Sequence, residues 1–189
     1  MGQIPSFISY ENYPYQVLPD GVYSCDEVEL REVFVEGFSG SERRKTIYEG
    51  FLKLQAEIRK LGLSATQWVD GSFVESKLDP GDVDVISFCD HDTVNGLVGP
   101  AQAALVQLTN GREATKRAFQ THTFLVISCP PDHPYHPIFE ASRSGWRKWF
   151  GKTREVPNPP GPNLPGYIKG FLEMTIGDAA PIVDTGRNE

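Results

Sequence analysis

The residues with the clearest chemical potential lie in one segment, WVDGSFVESKLDPGDVDVIS, which begins at Trp68. Asp82 and Asp84 are two positions apart in a run that predicts a β-strand, so their side chains leave the same face of that strand. Neighbouring carboxylates repel each other unless a cation lies between them, and Mg²⁺ prefers oxygen ligands. The pair therefore predicts a site for Mg²⁺ (or Mn²⁺), of the kind that suits metal-assisted phosphoryl transfer.

A glycine and a serine follow the preceding strand directly. Gly71 allows backbone N–H groups to approach phosphate oxygens, and Ser72 adds a hydroxyl donor. A short helix beginning at Ser72 would add a favourable field for an anion. Together with the carboxylates, this turn outlines a site for a nucleoside triphosphate. The alternatives are a solvated strand face for the two aspartates and a helix N-cap for Ser72, while Asp70 and Asp79 are typical of turns and caps.

Cationic residues with two possible roles occur later in the chain. A basic cluster interleaved with aromatic residues could bind a triphosphate or a nucleic acid, with rings available for base stacking. It could equally be the solvated face of a helix whose tryptophans are buried, which is the more ordinary outcome. Lys169 could reach a phosphate or be an ordinary lysine at a strand edge. The cluster comprises Arg143, Arg147, Lys148, Lys152 and Arg154, interleaved with Trp146, Trp149 and Phe150.

Histidines and cysteines lack the spacing of a zinc site or a disulfide scaffold. We expect reduced, mostly buried thiols and a cytoplasmic protein. The first residues lack a basic region followed by an apolar stretch, and no apolar run approaches the roughly 20 residues needed to span a bilayer. Neither a secretory signal nor a membrane partner is expected. The residues concerned are His91, His122, His133, His136, Cys25, Cys89 and Cys129.

Length and composition favour one domain with extensions. The chain has 189 residues, of which 39% are hydrophobic, enough to build a core. Its formal net charge of −7 argues against a protein that coats duplex DNA through bulk charge. We expect an extended N-terminal arm over 1–22, a domain over 23–177 and a polar C-terminal tail over 178–189.

Hydrophobic spacing predicts the elements that position these residues. Ser39 and Glu42 match a capping box, and apolar residues between Ile47 and Leu61 recur at spacings of three and four, which predicts a helix over 41–61. Runs rich in β-branched and aromatic residues predict strands. The predicted strands cover 66–69, 83–88, 123–128 and 169–176, and further helices are predicted after Ser24 and near 92–109, 112–120 and 143–151.

The order of these motifs resembles the nucleotidyltransferase superfamily of DNA polymerase beta. The signature of that superfamily is a Gly-Ser after the first strand, here Gly71-Ser72, and an Asp-x-Asp on the second, here Asp82 and Asp84. The wider run from SERR through WVDGSF, DPGDVDV, CPPDHP and the final Lys169-Gly170 is similar to a small group of uncharacterised bacterial and phage nucleotidyltransferase-like proteins. This likeness covers most of residues 17–176.

The resemblance implies an α/β (α+β) domain, with a small mixed sheet of four or five strands and helices packed on one side. It implies a Mg²⁺-dependent nucleotidyltransferase that acts on a nucleoside triphosphate and an acceptor hydroxyl of RNA or tRNA, a protein or a small molecule. Toxin-antitoxin and phage-defence members of the superfamily make the first two acceptors attractive. The implied roles are metal binding by Asp82 and Asp84, β/γ-phosphate binding by Gly71 and Ser72, and substrate binding by Lys169 and Arg147.

A third carboxylate is the part of the family pattern that this sequence lacks. The superfamily usually places it on a later core strand, where it completes the second metal's shell and can act as general base. The matching strand here, 120–126, carries none, and Thr123 takes the corresponding position. Asp132 or Glu140 could replace it, or His122 could supply a nitrogen, which Mg²⁺ tolerates poorly. The alternative is a catalytically degenerate member that binds a nucleotide or a protein partner.

Overall fold

Five strands form one mixed sheet in the part of the chain that the computed structural model describes, residues 4–110, 112–157 and 159–178. The strands are β1 (Val22–Ser24), β2 (Ala65–Asp70), β3 (Val83–Asp90), β4 (Thr121–Ser128) and β5 (Phe171–Ile176). Their order across the sheet is β1-β5-β2-β3-β4. β2 runs antiparallel to both of its neighbours, whereas β4 is parallel to β3 and β1 is parallel to β5. The predicted α/β domain with a small mixed sheet is confirmed.

Helices flank both faces of this sheet, so the expected packing of helices on one side alone is wrong. They are α1 (Glu27–Phe34), α2 (Glu42–Lys60), α3 (His91–Asn95), α4 (Pro100–Asn110), α5 (Arg112–Phe119) and α6 (His136–Phe150), with single 3₁₀ turns at Glu36–Phe38 and Ser72–Val74. No helix within the described ranges combines the length and apolar character needed to cross a bilayer.

The first face of the sheet is covered mainly by α1, α2 and α4. The predicted helix over 41–61 is confirmed as α2, but the predicted capping box of Ser39 and Glu42 is wrong. The cap is Ser41, whose side chain accepts a hydrogen bond from the Arg44 amide. The apolar stripe of α2, which includes Ile47 and Phe51, packs against Val69 of β2 and the neighbouring strands. Burial of this stripe fixes α2 against the sheet, since most of the stability of a helix in a protein comes from the packing of its apolar face.

The second face is covered by α6, which is longer than predicted. Trp68 of β2 and Phe88 of β3 pack there against Phe139 and Phe150 of α6. The helix begins at His136 rather than near 143, and a proline lies in its first turn. A proline is tolerated there because its missing N–H would have had no helical partner. This second face carries the site described below.

The predicted helix over 92–109 is divided into α3 and α4. Gly99 separates them with a φ of +57°, a left-handed conformation that glycine adopts without strain, and Pro100 starts α4. At the start of α3, the Asp90 side chain accepts a hydrogen bond from the Thr93 amide.

The N-terminal segment packs along the domain. Phe7 makes an edge contact with Phe34 at 5.8 Å between ring centroids, and Tyr10 stacks on Tyr167 at 4.5 Å. Beyond this segment, β1 adds a short parallel strand that the sequence pattern did not predict. Of the predicted arm and tail, residues 1–3 and 179–189 lie outside the described residues.

Candidate functional site

A cleft of about 540 Å³ opens beside the end of β2 and the start of β3. Strand pairing sets Asp70 of β2 opposite Asp84 of β3, and Asp84 opposite His122 of β4. Because side chains on paired positions leave the same face, the three lie side by side on the α6 face of the sheet. All three line the cleft, together with Gly71 and Ser72.

Gly71 lies in close contact with Asp84 in the lining of the cleft. Its φ is +85°, and a Cβ added there would lie 2.5 Å from Oδ2 of Asp84. Only glycine therefore allows the Asp84 carboxylate to lie directly against the turn. The helix predicted to begin at Ser72 is a single 3₁₀ turn, Ser72–Val74, so its dipole adds little.

Gly71→Ala should lower both stability and ligand affinity at this turn. A methyl group would face a positive φ and displace the Asp84 carboxylate, and we expect a loss of about 2–4 kcal/mol in the free energy of unfolding measured in urea. Gly62→Ala is the matched control, because Gly62 also has a positive φ (+73°) but no atom within 4 Å of the added Cβ. Equal losses in the two variants would contradict the close approach of Asp84.

Asp84 is mostly buried and lies close to other charged groups. Its Oδ1 lies 3.1 Å from Nδ1 of His122, and its side chain is 19% exposed. Burial, and next the charge of Asp82, raise the pKa of Asp84 above its ordinary value, while His122 and Lys169 act against that rise. A cation bound beside Asp84 would offset the repulsion between the Asp84 and Asp82 carboxylates.

Asp82 is engaged differently. It does not line the cleft, and its Oδ2 pairs with Nζ of Lys116 on α5 at 2.9 Å. The Lys116 side chain is 43% exposed, so the pair is screened by water and can exchange. Asp82 still acts on Asp84 through its charge.

Lys169 lies beneath the floor of the cleft in a buried cluster. Its Nζ donates to Oδ1 of Asp70 at 2.7 Å and to Oε1 of Glu75 at 3.1 Å, with 2% of the side chain exposed. Burial opposes the charge on Lys169, but the two carboxylates outweigh it and raise its pKa. Burial raises the pKa of Asp70 to about 7 in spite of the lysine. Lys169 is thus neither a strand-edge lysine nor an accessible phosphate ligand.

Arg44 of α2 donates hydrogen bonds to the segment that follows Ser72. Its guanidinium is buried and donates to the carbonyl oxygens of Phe73 at 2.7 Å, Glu75 at 2.6 Å and Lys77 at 2.7 Å. Burial lowers the pKa of Arg44 to about 10, so it remains charged at neutral pH. This contact ties the loop between the Gly71 turn and β3 to helix α2. Asp79, predicted to be a turn or cap residue, accepts from the hydroxyl of Ser41 in the same region.

The expected equivalence of Thr123 to the third carboxylate is wrong. Thr123 faces the other side of the sheet, where its hydroxyl donates to the carbonyl of Leu108 on α4 at 2.6 Å. His122 is the residue of β4 that lies beside Asp84. Glu140 is paired with Arg143 at 2.7 Å and, like Asp132, does not line the cleft.

The basic cluster divides between two regions. Arg143 belongs to the α6 ion pair, and Arg147 lines a second hollow next to the cleft. Lys148, Lys152 and Arg154 line the cleft itself, and so does Trp149. The sequence reasoning did not single out Tyr13, Tyr15, Glu75, Lys77 or Lys116, all of which lie in or beside the site.

Within the described residues, no group of three or more His, Cys, Asp or Glu side chains is arranged to hold a metal ion. Asp84, with Asp82 nearby, could therefore supply only one or two ligands to a metal ion. Mg²⁺ commonly takes one or two carboxylates and fills its remaining positions with water and substrate phosphates. The donor set fits one such ion and does not fit two.

A family model described as "Family of unknown function (DUF6932)" matches residues 11–175. No curated protein and no solved structure matches the chain.

Proposed function

Because the chain belongs to the DUF6932 family, whose function is unknown, we propose from the site itself that the protein binds a nucleoside triphosphate with one Mg²⁺ and transfers its nucleotidyl group to an acceptor hydroxyl. One observation carries this proposal: the Asp84 carboxylate lies against the Gly71–Ser72 turn inside a single cleft. A phosphate on the turn and a cation on the carboxylate would then be neighbours, as nucleotidyl transfer requires.

The phosphate half of the proposal is supported by the charges around the turn. The left-handed Gly71 brings backbone close to the cleft, and Ser72 adds its hydroxyl. Lys77, Lys152 and Arg154 line the same cleft and can neutralise the β- and γ-phosphates.

The cation half of the proposal is supported by Asp84 and its partners. Burial first, and then the charge of Asp82, raise its pKa, and a bound cation would act against both effects. A bound Mg²⁺ would supply charge neutralisation at the α-phosphoryl group. Asp82 can become a second ligand of the Mg²⁺ once its ion pair with Lys116 opens.

His122 supplies the general base that the missing third carboxylate would otherwise provide. A carboxylate only accepts hydrogen bonds, so Nδ1 donates to Asp84 and Nε2 is left as the proton acceptor. In the proposed step Nε2 takes the proton of the acceptor hydroxyl, whose oxygen attacks the α-phosphorus, and pyrophosphate leaves. Orientation of a histidine by an aspartate is a common arrangement for such a base.

A titration followed by a turnover assay tests the proposal. Each of the four common nucleoside triphosphates is titrated by calorimetry with Mg²⁺ and, in a parallel arm, with EDTA. Pyrophosphate release is then measured with total cellular RNA, with cell lysate protein and with small hydroxyl compounds as acceptors. We expect Mg²⁺-dependent binding of at least one triphosphate and release with one acceptor class. Absence of nucleotide binding in Mg²⁺ would overturn the proposal.

His122→Gln should slow nucleotidyl transfer while leaving nucleotide binding almost unchanged. Glutamine can keep a hydrogen bond to Asp84 but cannot take up a proton, so the rate of pyrophosphate release should fall about 100-fold or more. The affinity for the Mg²⁺-bound triphosphate should change by no more than about twofold. An unchanged rate would remove His122 from the mechanism.

A second candidate function is nucleotide binding without transfer. The observations that favour it are the absence of a carboxylate beside Asp84 on β4 and the engagement of Asp82 by Lys116. In that case the titration would show Mg²⁺-dependent binding, and no acceptor would give pyrophosphate. His122→Gln would then have no effect on any measured quantity.

A further inference from the structure

Two concave surfaces of this protein share a wall. A second hollow of about 270 Å³ lies next to the cleft and is lined by Arg147, with Asp20 on its far side. Lys148 and Lys152 line both the cleft and the hollow. We call the series Arg154, Lys152, Lys148 and Arg147 the basic path, because it leads from the cleft into the hollow.

An aromatic side chain lies beside this path. Trp149 is 54% exposed and lines the cleft, although tryptophan is usually well buried. A sequence of ring contacts connects it with the reacting centre: His122 lies 4.3 Å from Phe124, and Phe124 lies 5.9 Å from Trp149, between ring centroids. Trp149 therefore flanks the side of the cleft where His122 would meet an acceptor hydroxyl.

The basic path is positively charged, although the whole chain has a negative net charge. The chain has a formal net charge of −7, yet the path brings four cationic side chains together around Trp149. The acidic side chains that line these surfaces are Asp20 in the hollow and Asp70, Glu75, Asp84 and Glu155 in the cleft, and Lys169 pairs with Asp70 and Glu75. A ligand that fits must carry spaced negative charges and a flat ring with an accessible face, which are the properties of an unpaired nucleotide chain.

We propose that the acceptor is a single-stranded nucleic acid whose phosphates follow the basic path and one of whose bases stacks on Trp149. A duplex is disfavoured, because its bases are already stacked and offer no free face to the indole. The identification of this ligand as the acceptor rests on the proposed function, whereas its binding does not.

The test is fluorescence anisotropy with a labelled oligoribonucleotide of ten uridines and adenosines, titrated at several salt concentrations. Trp149→Ala should weaken binding about tenfold, the scale of one lost stacking contact. Lys148→Ala/Lys152→Ala should reduce the slope of log affinity against log salt by about 1.4, since each phosphate contact on a single strand contributes about 0.7. Lys45→Ala/Lys60→Ala is the matched control, because both lysines lie on α2 in exposed ion pairs.

The outcomes separate this proposal from the previous one. Binding that is weakened in Trp149→Ala, has the reduced salt slope in Lys148→Ala/Lys152→Ala and is unchanged in the α2 control supports the path, whether or not a triphosphate binds. Failure of all four Mg²⁺-bound nucleoside triphosphates to bind, with intact oligonucleotide binding, overturns the proposed function and leaves the path standing. Wild-type protein that does not bind the strand, or binds a duplex or polyglutamate equally well, overturns the path.

Discussion

Asp84→Asn should abolish the Mg²⁺ dependence of nucleotide binding while the protein keeps its fold. The amide is a poor ligand for Mg²⁺ compared with a carboxylate, and the affinity for the Mg²⁺-bound triphosphate should fall about 100-fold, to its value in EDTA. Because burial and Asp82 raise the pKa of Asp84, the ionised carboxyl is costly in the folded state. The free energy of unfolding should therefore be unchanged or higher in this variant.

Asp90→Asn is the matched control for that experiment. Asp90 lies at the opposite end of β3, where it caps α3, and asparagine is an equally good cap. Nucleotide affinity should be the same as in the unsubstituted protein. Retention of Mg²⁺ dependence in Asp84→Asn would show that the cation binds elsewhere, and unfolding of that variant would show that the carboxylate has a structural role.

Lys169→Met should produce the largest loss of stability that we expect in this protein. The change removes the only cation in contact with Asp70 and Glu75 among the described residues and leaves both carboxyls buried. Breaking a buried ion pair in this way costs about 3–5 kcal/mol, measured as the free energy of unfolding in urea at pH 7.5. The loss should shrink as the pH falls from 7.5 to 5, through the raised pKa of Asp70 of about 7, because the protonated Asp70 carboxyl no longer needs the cation.

Two further variants control this result. Lys116→Met removes an exposed partner of Asp82 and should cost less than about 1 kcal/mol. Lys169→Met combined with Asp70→Asn removes one of the two stranded charges and should recover part of the stability. A loss that is the same at pH 5 and pH 7.5 would indicate a packing defect instead of unpaired charge.

The parts of the site that depend on neighbouring residues could be predicted from the sequence. Gly71, Ser72 and Asp84 lie on either side of one loop, and the strands that carry them have strong β composition. Helix α2 was predictable for the same reason, because its apolar spacing lies within one continuous run. Local pattern and final position agree wherever few long-range contacts are needed.

The remaining parts depend on registers that local patterns do not fix. A shift of one residue along β4 exchanges His122 for Thr123 beside Asp84, and only the pairing of β3 with β4 decides between them. Lys169 is buried because Asp70 and Glu75, about a hundred residues earlier in the chain, enclose it. The Lys116–Asp82 pair likewise depends on how α5 packs beside the start of β3.

The hydrogen bonds that Arg44 donates to the loop after Ser72 have a consequence for how the site folds. The loop from Phe73 to Lys77 has little regular structure of its own. Three of its carbonyl oxygens accept hydrogen bonds from the Arg44 side chain of α2. The cleft floor can thus be ordered only after that helix has docked. Native-state hydrogen exchange would then report the two as one opening unit, and a ligand bound at the floor would slow exchange along the helix as well.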